Sequence, residues 1–170
     1  MGRSTFILLL GIMVISPFIF SGCAATYRPG SIHEVGFPER AQSQHDEDVR
    51  VSVAVLSAEE STELFGVDLA RKNIQPVWVR VENHDTRVYW LASTGLDPDY
   101  FSPLETAYVF HSGYSETSRE DMDDFFQHMK FKNPIVPNAA VSGFVFTNRD
   151  QGMKVVDIDL LSGAEEAKFF

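Results

Sequence analysis

The chain has a single cysteine, Cys23, in 170 residues. One thiol excludes intrachain disulfides, so the core must hold without them even in an oxidising compartment. Positive charge is also scarce. The 14 Lys and Arg stand against 24 Asp and Glu, a formal net charge of -10 at pH 7. Proteins that grip nucleic acid carry a basic patch, and none is visible here, so no nucleic-acid partner is expected. The same deficit argues against a broad electrostatic hold on anionic lipid. The apolar run from Phe6 to Phe20 is shorter than the roughly 20 residues that span a bilayer. Catalytic motifs are missing as well. There is no His-Glu-x-x-His, no Gly-x-Ser-x-Gly, no phosphate loop and no dinucleotide fingerprint. No internal repeat recurs at a fixed period.

What is present begins with Arg3, the apolar run and then Ser21-Gly22-Cys23. A basic start, an apolar stretch and small residues at a junction make a secretory signal. The Phe20-Ser21-Gly22-Cys23 junction resembles the lipobox of bacterial lipoproteins, with Phe20 where Leu is commonest. The resemblance implies acylation of the Cys23 sulfur and cleavage before it. It further implies a lipid-anchored protein of the bacterial cell envelope. Ala24 rather than Asp after the cysteine leans toward the outer membrane, facing the periplasm. Two acyl chains on one residue satisfy the two-signal requirement for stable anchoring. The competing readings are a permanent membrane helix, cleavage after Ala25 to give a soluble secreted protein, and myristoylation at Gly2. Phe6 stands where the last of these requires Ser or Thr.

Removing residues 1–22 shortens the 170-residue chain to 148 and, with Arg3 the one charge lost, takes the net charge from -10 to -11. That length suits one domain. Residues 23–48 contain Pro29, Gly30, Gly36, Pro38 and a polar run from Arg40 to Asp48. Breakers and low apolar content predict a flexible tether there. The domain is then expected over 49–170.

Val49, Val51, Val53 and Val55 alternate with Arg50, Ser52 and Ala54, a half-buried strand. Ser57 and Glu60 form a capping box before a short helix, which Gly66 ends or bends. Residues 67–73 are expected irregular or helical. Val77, Val79 and Val81 alternate again, Asn83–Thr86 is turn chemistry, and Arg87, Tyr89 and Leu91 alternate with Val88 and Trp90. This predicts a hairpin over 76–91 pairing Glu82 with Arg87, Val81 with Val88 and Val79 with Trp90. Trp78 and Leu91 then share an outer face covered by the linker, another element or a partner. Ser102-Pro-Leu-Glu105 opens a second short helix. Thr117-Ser118 opens a longer one, whose acidic start and basic end suit the helix dipole. Met122, Phe125, Phe126 and Met129 form its core stripe. Residues 141–146 and 153–161 predict a second hairpin. Phe169-Phe170 either tucks into the core or marks a chain shorter than its relatives.

These elements predict a mainly β protein: an antiparallel immunoglobulin-like β-sandwich elaborated with two or three short helices. The segments Phe65–Leu69, Gln75–Trp78, Val81–Asn83 and Leu96–Glu105 resemble a family of uncharacterised bacterial envelope proteins associated with LssY-type C-terminal regions. That resemblance implies no catalytic residues.

Asp97, Asp99 and Glu105, with His111 nearby, are the candidate metal ligands, because hard cations prefer clustered oxygens. Against this, Asp97 and Asp99 suit the turn around Pro98. No cofactor is expected. The sequence thus points to a non-enzymatic, lipid-anchored envelope binding or assembly module held to the membrane through Cys23. The alternatives are a metal-dependent envelope hydrolase built on residues 97–105 and an accessory subunit that docks an envelope protein through the Trp78 face.

Overall fold

The computed structural model describes residues 24–92, 100–149, 158–163 and 165–169. The expected signal segment, Cys23, Asp97 and Asp99 lie outside the described residues. Seven strands and three α-helices are described: β1 (Gln42–Asp46), β2 (Val49–Val55), α1 (Ala58–Phe65), β3 (Ile74–Asn83), β4 (Trp90–Ala92), α2 (Pro103–Tyr108), α3 (Glu116–Met129), β5 (Ala139–Asn148), β6 (Ile158–Ser162) and β7 (Glu165–Phe169). Strands β1-β2-β3-β5 form one antiparallel sheet and β4-β6-β7 a second. The protein is therefore a mainly β, antiparallel sandwich with three short helices. Four plus three strands is the division of a seven-strand immunoglobulin-like sandwich. The strand order differs, because β2 neighbours β3, the next strand in the chain, rather than a later one.

Both faces of the large sheet are covered, and the alternation of β3 shows how. Val77, Val79 and Val81 meet Val51 and Val53 of β2 and Ile158 and Leu160 of β6 in the core between the sheets. Trp78 points the other way. With Ala54, Phe144 and Phe146 it packs under Leu64, Phe65, Met122 and Phe126 of the helices. The order is helices, large sheet, small sheet. Phe169 is 3% exposed and closes the core between the sheets.

Local chemistry sets the helices where the sequence placed them. Ser57 accepts from the Glu60 amide at 3.2 Å while Glu60 accepts from the Ser57 amide at 2.7 Å. Gly66 caps α1 in the left-handed region, φ 66°, where a Cβ would be strained. Ser102 and Glu105 make the same reciprocal box on α2, with Pro103 at its first position. Helix α3 starts at Glu116, one residue before Thr117, because Ser115 supplies the cap, accepting from the Ser118 amide. Of its stripe, Met122 and Phe126 are fully buried, and Phe125 and Met129 are partly so.

Both expected hairpins are corrected. Strand β3 does not fold back on 87–91. It lies between β2 and β5, in registers that set Val51 opposite Val81 and Val81 opposite Val141. Glu82 faces Arg50, not Arg87. The buried Asn83 carboxamide redirects the chain: it donates to the carbonyls of Arg87 and Ile135 and accepts from the Asp85 amide. The chain crosses to the second sheet, where Trp90 pairs with Leu161 and Leu91 with Leu160. Likewise β5 pairs with β3, and residues 158–161 of the expected return strand lie in β6, between β4 and β7; residues 153–157 of that strand fall outside the described residues. Alternation fixes which face is buried, not which strand is the partner.

The tether is also corrected. Residues 24–48 are packed onto the domain. Tyr27, Val35 and Phe37 are buried. Phe37 stacks edge-on against Trp78 and Phe144, with ring centroids at 5.8 and 5.7 Å. Strand β1 extends the large sheet by pairing with β2. The other edge, β5, is shielded by two passing segments. The Phe101 amide donates to Phe146 O at 2.8 Å and the Phe131 amide to Phe144 O at 2.9 Å. Gly143 permits this approach, since a Cβ there would sit 2.5 Å from the Phe131 backbone.

Candidate functional site

Among the described residues, the helical layer carries surface clefts on either side of α3. Helices α2 and α3 pack side by side, and between them Leu104, Glu105, Tyr108 and Asp123 line a shallow cleft of about 370 Å³. The pieces follow from sequence. The buried side of α2 holds Pro103, Thr106 and Ala107, which turns Leu104 and Tyr108, one helical turn apart, to the surface. At the cleft edge His111 Nε2 lies 2.9 Å from Asp123 Oδ1. The Tyr108 ring sits 5.2 Å from the imidazole. A second cleft of about 510 Å³ is lined by Tyr27, Pro29, Asp121, Asp124, Phe125 and His128. It forms where the N-terminal segment crosses α3. The Tyr27 hydroxyl leaves it to donate to Phe65 O at 2.9 Å. Burial, with a smaller contribution from Tyr114, pushes that hydroxyl well above the ordinary tyrosine range. It is a fixed structural donor, not an acid–base group.

Of the residues expected to bind metal, Glu105 and His111 are described, and each already has a partner. The Glu105 carboxylate closes the α2 capping box, accepting from the Ser102 amide at 3.4 Å. His111 is engaged by Asp123. Among the described residues no cluster of three or more His, Cys, Asp or Glu side chains is assembled to hold a metal ion. What these residues present is a hydrogen-bonded imidazole–carboxylate pair beside an apolar lip.

Trp78 and Leu91 do not share an outer face. Trp78 is 7% exposed under Phe37 in the helix-side core, and Leu91 is 7% exposed in the core between the sheets. The docking surface expected through Trp78 is thus interior. The cause is the crossing of the chain after β3: with β4 in the second sheet, Leu91 is no longer beside Trp78. Asn133 holds Leu91 instead, accepting from its amide at 2.8 Å and donating to its carbonyl at 3.0 Å. The indole Nε1 of Trp78 has no hydrogen-bond partner among the described residues.

Leu104, Tyr108 and Asp123 were not among the residues expected from sequence. The spacing of Leu104 and Tyr108 on a helix buried through Thr106 and Ala107 was the available signal. Asp123 carried none, because the helix dipole already accounts for acids near the start of α3.

Comparison with protein-family models, curated proteins and solved structures finds no match. None of the described helices is long and apolar enough to cross a membrane.

Proposed function

We propose that the chain is a lipid-anchored binding or assembly module of the bacterial cell envelope, tethered through an acylated Cys23 and facing the periplasm from the outer membrane. The observation that carries this is the Ser21-Gly22-Cys23 junction directly after the apolar run. The fold bears on one competing reading, cleavage after Ala25. Cleavage before Cys23 keeps Ala25, whose amide donates to Gly113 O at 2.8 Å and which pairs with Tyr114. Cleavage after Ala25 would remove that residue and the contact with it. The anchored reading leaves every described contact in place.

The test is Cys23→Ser, expressed in a bacterium that makes lipoproteins. The variant should accumulate as unprocessed precursor, and the parent should fractionate with membranes. A variant that is processed normally and released to the soluble fraction would contradict the proposal.

A further inference from the structure

With residues 24–48 packed onto the domain, an anchor at Cys23 fixes orientation as well as location, and the inference rests on that anchor. Cys23 is two residues before Ala25, and Ala25 is bonded to the domain at Gly113. Two residues reach at most about 7 Å. An acylated Cys23 therefore leaves no room for the domain to stand clear of the lipid. Gly113 and the segment around it are held close to the headgroups.

What surrounds it is the apolar lip of α2. From Tyr108 the chain reaches Gly113 through two tight turns, His111 N to Tyr108 O at 3.1 Å and Tyr114 N to His111 O at 3.2 Å. Each such turn keeps its ends within about 7 Å, so Tyr108 lies within about 15 Å of the Ala25–Tyr114 bridge. Tyr108 is 71% exposed, Leu104 48% and Val109 39%. Apolar side chains beside an amphipathic tyrosine suit the membrane–water interface. The neighbouring start of α3 carries Glu116, Glu120, Asp121 and Asp124, which repel anionic headgroups and favour a zwitterionic surface.

We propose that the face bearing Leu104, Tyr108 and Val109 rests in the headgroup layer of the membrane, held there by the two-residue connection from Cys23. The lipid surface is its occupant. The small sheet lies across the large one from α2, so Trp90, 44% exposed, reports a face other than the one bearing Leu104 and Tyr108.

The test couples the chain from Cys23 onward, through its single thiol, to phosphatidylcholine vesicles carrying a maleimide-headgroup lipid. The maleimide bonds the same sulfur that acylation would use, so the outcome does not depend on processing in a cell. The phosphatidylcholine is brominated high on its acyl chains. One protein is Tyr108→Trp in a Trp90→Phe background, the unmodified chain carries Trp90, and Trp90→Phe alone gives the signal of the buried Trp78 that all three share, which is subtracted. Leu104→Trp serves as a second probe of the same face should Tyr108→Trp fold poorly. Bromolipid should quench the tryptophan on α2 several-fold more than Trp90. Equal quenching, or none on α2, would overturn the proposal, the latter leaving that face free for a protein. Strong quenching on α2 together with an unacylated Cys23 in cells would remove the anchor and leave the lipid-facing surface standing.

Discussion

Phe37 and Trp78 meet edge to face with ring centroids 5.8 Å apart. One comes from a segment that reads as a linker, the other from the central strand. The contact makes the N-terminal segment part of the core. Phe37 is 0% exposed, so Phe37→Ala should cost about 3–5 kcal/mol. A true tether would lose less than about 0.5 kcal/mol. Urea denaturation of the two proteins distinguishes these.

The α3 stripe is asymmetric, and its two phenylalanines should respond differently to truncation. Phe126 is fully buried against Phe65 and Phe146, at 5.0 and 5.5 Å between ring centroids. Phe125 packs from the margin, partly exposed beside Tyr27. Phe126→Ala should cost about 3–5 kcal/mol and Phe125→Ala clearly less. Equal losses in thermal melts would mean the helix is rotated from the orientation described.

Asn83 is 0% exposed and satisfies two carbonyls and one amide. Asn83→Ala strands those groups in the interior at a cost of about 1–3 kcal/mol. It should also loosen the crossing between the sheets. Faster amide exchange at Arg87–Leu91 than at Val77–Val81 would show this, and uniform exchange would count against it.

The Asp85–Tyr89 contact, 2.7 Å between oxygens, sets a pH dependence at both ends. The Tyr89 hydroxyl and the Arg87 guanidinium hold the Asp85 carboxyl well below the usual carboxylate range. The unfolded chain takes up that proton first, so this contribution is present above about pH 4. It is lost as pH falls further, through the folded value. Burial and then the bond to Asp85 push Tyr89 up to about 12. Its contribution is present below about pH 10 and lost as pH rises toward the folded value. Asp85→Asn should flatten the acid limb of a plot of melting temperature against pH. An unchanged limb would assign the acid sensitivity to other carboxylates.

Features decided within a few residues were legible in the sequence. Both capping boxes, Ser57 with Glu60 and Ser102 with Glu105, formed as expected because each is a contact three residues apart. Strand partners were not legible. Val77, Val79 and Val81 match the alternation of Val51 and Val53 as well as that of residues 88–90, and nothing local chooses between them. The N-terminal segment was misread because its polar composition conceals three anchors, Tyr27, Val35 and Phe37. Strand β1 is exposed along its whole length and is held as an edge by backbone pairing. Such a strand needs no apolar pattern. At the candidate site, the capping role of Glu105 was readable and competes with metal binding. The His111–Asp123 pair, twelve residues apart, depends on how α2 and α3 pack, which the sequence does not state.

The most direct measurement is the intact mass of the mature protein taken from bacterial membranes. A lipid-anchored module predicts a chain that begins at Cys23 and carries acyl mass on that residue. A mature chain that begins at Thr26 without lipid would contradict both the anchor and the retention of the Ala25–Gly113 contact.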